Sequence, residues 1–503
     1  MSRRLLSCLC LLAIAVCVCA AADHETRIVW NDDHGRTELD IQGTVEFTDN
    51  DSDVKSVSPD GYFRMEEWSG GAARLYVVRP GSSGTLDRSY YVDGISKPLD
   101  NDARAWLSRV LPEVIRETAI GASDRVKRIL RQQGAAGVFA EIGRIHSDGA
   151  RRIYIGDLIE TANLKADDLR ESMRLARKIS SDGEKARLLV DVASYYQNPS
   201  TREDYFETTN TISSDGEHRR VLSNVLDHYG VDRESMTLSL RSAKRISSDG
   251  EKARVLMQAA DYRLVGEETR QSYFHATDSI NSDGEHRRVL SAVLKRNSLD
   301  KDIQVRVLRS AGYINSDGEK AAILTEAAAA YVEDTGVRKA FFDAANTINS
   351  DGERRRALDA LLRRGGNPSA DTLREAAKSA SRISSDGEKA NVLAVIPDLG
   401  LRDPATVEAF FAAANTISSD GEHARVLLAA LNASLEKDAV ITLIHSAERI
   451  NSDGEKARVL MRAIDRCSKD AAVVAAIRDA ARTIHSDGEY RRVMSMLDRE
   501  ATI

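Results

Sequence analysis

Ile179-Ser180-Ser181-Asp182-Gly183-Glu184-Lys185-Ala186-Arg187-Leu188-Leu189 is one copy of a phrase that decides how this 503-residue chain folds. Its first part, Ile-x-Ser-Asp-Gly, occurs eleven times, with the Asp running from Asp148 to Asp487 at spacings of 33 to 35 residues. Ten copies continue into Glu, and the first carries Ala150 there instead. A period in this range marks stacked supersecondary units, each too small to bury its apolar face alone. About three quarters of the chain is therefore an extended repeat surface.

Within each unit the pattern predicts a first helix of ten to twelve residues ending at the Ile, then a second of about fourteen. Ser-x-x-Glu is a capping box. Ser181 accepts from the amide of Glu184, and Glu184 reaches back to the amide of Ser181. Asp182 in the first turn faces the positive end of the helix dipole. The Gly calls for a backbone approaching closely at that point, since Gly inside a helix otherwise costs about 1 kcal/mol relative to Ala.

The core positions follow from periodicity. Pairs such as Leu188/Leu189, Val255/Leu256 and Val459/Leu460 continue into an i, i+3/i+4 apolar stripe. Arg187, Arg254, Arg288 and their equivalents sit three residues after the Glu, placed to pair within the helix or to bridge to acids of the next unit. A second order is superimposed. Units with Lys185, Lys252, Lys320, Lys389 and Lys456 alternate with units carrying His218, His286, Arg354, His423 and Tyr490. Four of the latter, all but the unit of Tyr490, also carry an aromatic pair such as Tyr205-Phe206 or Phe410-Phe411, so the true repeat is a double unit.

The beginning of the chain has another character. Residues 1–22 read as an export signal: Arg3 and Arg4, an apolar stretch from Leu5 to Cys19, then Ala20-Ala21-Ala22. Acylation at Cys17 or Cys19 is the alternative, disfavoured by Val16 and Val18 where a small residue is expected. Exported, periplasmic or secreted, is the expected location. Only Cys467 survives cleavage, which leaves no intramolecular disulfide.

Residues 23–100 hold 16 Asp/Glu against 8 Lys/Arg, whereas residues 101–503 are nearly balanced, 62 against 61. A near-neutral helical array without a basic stripe argues against a nucleic-acid partner. In 23–100 Leu39, Ile41, Val45 and Phe47 alternate with polar residues, and turn phrases such as Ser58-Pro59-Asp60-Gly61 separate further strands. A small antiparallel β-domain of five to seven strands is expected, with Trp30 and Trp68 in its core. Residues 101–134 read as a helical adaptor that caps the first repeat, with Pro112 opening a new helix, and 135–503 as the repeats. The expected fold is thus α+β and multidomain: a β-domain followed by a long α-solenoid.

Few residues offer chemistry. Asp49, Asp51 and Asp53 alternate in an expected turn at a spacing that suits Ca2+, although Val54 stands where the turn Gly of a calcium loop belongs; a solvated acidic turn is the competing reading. The alternating His residues are two units apart, too far to share a metal ion, and read as solvated helix-face residues. The second His of a metallopeptidase phrase is missing after His24-Glu25, where Ile28 stands. A row of helix starts binding anions is opposed by the Asp and Glu that each already carries.

Gly43-Thr44-Val45-Glu46-Phe47-Thr48, Val57-Ser58-Pro59-Asp60-Gly61-Tyr62-Phe63, Arg104-Ala105-Trp106-Leu107 and the repeated Ser-Asp-Gly-Glu resemble a family of bacterial envelope proteins. In that family a similar β-segment and Ser-Asp-x-Glu helical repeats occur alone or near antibiotic-sensing membrane metallopeptidases. The resemblance spans nearly the whole mature chain and implies an exported solenoid. No catalytic role carries over, because the paired-His motif and membrane helices of the peptidase are missing. The likeness to tetratricopeptide and HEAT arrays is one of architecture alone. The expected function is a non-enzymatic scaffold for a protein or peptide, with a ligand- or cation-sensing β-domain as the alternative.

Overall fold

In the computed structural model, residues 25–32, 35–228, 231–296, 300–364, 367–467 and 470–500 are described. The expected signal segment lies outside them. Two compact units are present, Met1–Val225 and Leu226–Ile503. The divide falls within the third repeat.

The first unit begins with eight strands, one more than the upper expectation: β1 (Glu25–Asp32), β2 (Gly35–Gln42), β3 (Val45–Phe47), β4 (Val54–Val57), β5 (Tyr62–Ser69), β6 (Ala72–Pro80), β7 (Leu86–Val92) and β8 (Ile95–Lys97). Six form an antiparallel sheet in the order β1-β2-β5-β6-β7-β8, and β3 and β4 pair separately. Hairpin chemistry sets the register. Gly70 and Gly71 take φ of 60° and 82° between the paired Ser69 and Ala72, a two-residue turn with both central φ positive. Because side chains alternate across a pleat, Leu39, Met65, Tyr76 and Tyr90 fall in one row, each opposite the next, and all are buried.

That row is covered by helix α1 (Asn101–Thr118), capped by Asp100, whose side chain accepts from the Ala103 amide. Trp106, Leu107, Val110, Leu111 and Val114 join the sheet's core, so the apolar cluster crosses the boundary expected between residues 100 and 101. Trp106 is the buried indole, and its Nε1 donates to Glu67 at 2.7 Å. Trp30 only borders this cluster, and Trp68 lies under the Arg36 guanidinium at 5.2 Å, so the sequence reading had misplaced them. Pro112 does not open a new helix either. It sits inside α1, where burial of the helix face on both sides of it outweighs the lost backbone bond. Helix α2 (Ala122–Ile142) follows and breaks at Gly134, whose φ of 68° and ψ of −170° are not helical.

From there each repeat consists of a leading helix and a trailing helix. Leading helices from Ala166–Ala176 to Ala471–Ala481 are eleven residues long and stop three residues before the motif Ile. All eleven trailing helices start at the motif Asp. Every motif Ile is buried, from Ile145 to Ile484, which by area transfer stabilises each turn by about 1.5–3 kcal/mol. Within each unit leading helices pack on leading helices and trailing on trailing, a two-layered, solenoid-like stack. The layout is the α+β arrangement expected. Among the described residues no helix is long and apolar enough to cross a membrane.

Candidate functional site

The motif is where chemistry concentrates. Repeats are numbered 1–11 by their Asp, from Asp148 to Asp487. The Ser half of the expected capping box forms except at Ser419, though with long bonds: the Glu184 and Glu251 amides donate to Ser181 and Ser248 Oγ at 3.4 Å. The Glu half does not. The Ser181 amide donates instead to Asp148 Oδ2 of the preceding repeat, at 2.7 Å, and the Ser180 amide to the same oxygen at 3.0 Å. Asp182 takes the Ser213 and Ser214 amides in the same way. In the second unit the pattern runs from Asp249, which takes the Asn281 and Ser282 amides, to Asp453, which takes those of His485 and Ser486. Repeat 1 has no preceding Asp. Glu117 at the end of α1 substitutes, accepting from the His146 and Ser147 amides at 3.0 and 2.7 Å.

The Asp is therefore a strap between repeats as well as a first-turn acid. Charge-assisted bonds to two orphan amides satisfy the start of the next helix. These bonds hold the Asp453 carboxyl below the usual carboxylate range, the His485 amide contributing most.

Released from the box, the Glu turns outward. Glu184 pairs with Arg187 of its own helix at 2.7 Å and with Arg152 of the preceding repeat at 2.7 Å. Glu319 and Glu388 likewise meet Arg287 and Arg355 of the preceding repeats. The expected in-helix ladder is thus present, but the Arg that bridges repeats stands one residue earlier than the one the sequence singled out. Arg356 and Arg425 instead reach back to the carbonyls of Gly318 and Gly387.

The Gly expectation is overturned. A Cβ at Gly216, Gly250, Gly284, Gly352, Gly387, Gly421 or Gly454 would meet nothing within 4 Å, and none of these residues has positive φ. Neither packing nor backbone conformation requires Gly there, and nothing in the structure explains it.

The alternating residue three positions after the Asp proves to be buried from Lys185 to Lys456, and only half-buried at Tyr490. Lys185, Lys252, Lys320, Lys389 and Lys456 are each 4–5% exposed. Their ammonium groups reach the turn that follows the next leading helix: Lys252 Nζ lies 3.1 Å from the Ser279 carbonyl and Lys456 Nζ 3.1 Å from that of Thr483. A cation at a helix C-terminus is favourable, while burial lowers the affinity of Lys185 and Lys320 for their protons. His218, His286 and His423 are 2% exposed, so the reading of them as solvated is wrong: they sit at the joints between repeats. Burial pushes the His286 imidazole down to about 4 and lowers His423 as well. The aromatic pairs of the same repeats are buried edge to face, with centroids 5.2–5.6 Å apart.

The acidic turn is built differently from a cation loop. Asp51, at φ 55°, is buried and pairs with Arg125 at 3.2 Å and Arg128 at 2.5 Å, both on α2. Asp53 accepts from Tyr76 Oη at 2.5 Å and from Arg88 at 3.1 Å. Asp51 and Asp53 are thus held apart by separate guanidinium partners, and their charges tie the β3–β4 turn to α2 and to β7. Sequence periodicity carries no signal for these partners, which lie up to 77 residues away.

No family model and no curated protein matches the chain. Among solved structures, the crystal structure of an engineered protein aligns over 73% of this chain and 98% of its own, at 17% identity and a TM-score of 0.23. The Chs5-Bch1 exomer cargo adaptor complex aligns over 90% of this chain and 85% of its own, at 8% identity and a TM-score of 0.19. Similarities this weak carry no argument about function.

Proposed function

We propose that this protein is an exported, non-enzymatic scaffold whose helical repeats bind a protein or peptide. One observation carries the reading. The antepenultimate residue of each leading helix is exposed, and in successive repeats of the second unit it is Arg241, His275, Arg309, Asp343, Lys378 and Ala412. One backbone position thus presents a changing series of side chains, while the motif residues are consumed in joining repeats. A varied row on a regular frame is how repeat arrays read an extended partner.

The test is capture from an envelope extract with the full-length protein, compared with a variant carrying Arg241→Glu and Arg309→Glu. Loss of a specific, identified partner on charge reversal, with unchanged circular dichroism, supports the reading. A partner retained by that variant and lost only when the sheet is altered instead assigns recognition to the β-domain.

A further inference from the structure

We propose that the joints following repeats 5 and 9 are acid-sensitive hinges, closed while His286 and His423 are neutral and loosened when either takes a second proton. This concerns how the stack is held, whatever its surface binds.

The geometry at the two joints is the same. His286 Nε2 lies 2.8 Å from Ser310 Oγ on the next leading helix, Lys301–Ala311, and Ser310 Oγ donates to Asp278 Oδ1 at the end of the leading helix of repeat 5. His423 Nε2 lies 2.9 Å from Ser446 Oγ on Lys437–Ala447, and Ser446 Oγ donates to Asn415 Oδ1 at 2.6 Å. The serine has a single hydrogen, and the Asp or Asn oxygen takes it. The imidazole must therefore be the donor through Nε2–H. On the ring an arriving proton can go only to Nδ1, which creates a charge in a site that is 2% exposed.

The surrounding charges do not cancel that cost. Around His286 stand Asp283 on its own helix, Asp249 at the start of the preceding trailing helix and Asp278, 3.8 Å away on the leading helix; the polar contact from the following leading helix is the neutral Ser310. Around His423 stand Asp420 and Asp386, opposed by Arg449 just after the following leading helix. In both cases desolvation outweighs the acids.

Two other joints are internal controls. After repeat 7 the same position holds Arg354, which turns to the Ile348 carbonyl in its own loop while Ser379 still bonds Asn346 at 2.7 Å. After repeat 6 it holds Lys320, which meets Thr347 Oγ1 at 2.8 Å. Neither group changes charge in mild acid.

The test is amide hydrogen exchange on the full-length protein at about pH 7.5 and about pH 5, corrected for intrinsic exchange. Protection is expected to fall in 301–311 and 437–447 and to hold in 335–345 and 370–380. For 301–311 the fall expected is about thirtyfold, from proton linkage at His286. His286→Gln and His423→Gln, made singly, keep a donor to the serine, and each is expected to abolish the response of its own joint only. Equal loss at all four helices, or an acid response that survives in the Gln variants, overturns the proposal.

Discussion

The carboxylate of Asp249 lies 2.8 Å from the backbone amide of Ser282, 33 residues further along the chain. The same oxygen also takes the Asn281 amide at 3.0 Å. Asp249→Ala removes the acceptor for two amides at once, so it is expected to cost about 1–3 kcal/mol. Ser282→Ala removes only a long bond from the Glu285 amide, 3.5 Å, and is expected to cost about 1 kcal/mol or less. Urea denaturation of the two variants checks the order, and the reverse order refutes the strap.

Gly250 offers a second test, with an unusual sign. Open space around its Cβ position and ordinary φ mean that Gly250→Ala relieves a helix penalty. Stability is expected to rise by about 0.5–1 kcal/mol. A lower melting temperature would show that something does approach this point.

Acid should act on the straps too, in a separate pH range from the histidine joints. The Asp453 carboxyl is held below the usual carboxylate range by the His485 and Ser486 amides. A lowered acid contributes stability that is present above about pH 4 and lost as pH falls through the folded value. Asp453→Asn keeps an acceptor but no titration, so its stability is expected to change less than the wild type's below about pH 4. Chemical denaturation across that range measures the difference.

Calcium is the fourth test. Asp51 and Asp53 already answer Arg125, Arg128 and Arg88, and a cation would have to displace them. Titration calorimetry of the full-length protein with millimolar calcium is expected to show no binding heat. Saturable heat that disappears in Asp51→Asn would establish the site.

Removing residues 1–100 is expected to do more than delete a domain. It uncovers Trp106, Leu107, Val110, Leu111 and Val114 of α1, which belong to the sheet's core. The 101–503 fragment should therefore aggregate or bind hydrophobic dyes, whereas an independent adaptor would leave it as soluble as the whole chain.

How much was legible beforehand follows from the range of each interaction. Helix starts at Ser-Asp-Gly, the apolar pairs and the two-fold alternation are local or periodic and could be read directly from the sequence: capping and amphipathicity act within one turn or one helix. Strand alternation made the β-domain visible for the same reason, though not all eight of its strands, nor that the helix expected in the adaptor covers the sheet. What each polar group faces depends instead on how the repeats stack. The motif Asp and the amides it takes are a full repeat apart, His286 and Ser310 lie on neighbouring repeats, and Asp51 meets an arginine 77 residues away. A side chain's own neighbours in sequence set its conformation; its partner and its burial are set by which repeat stacks upon which, and no local periodicity encodes that.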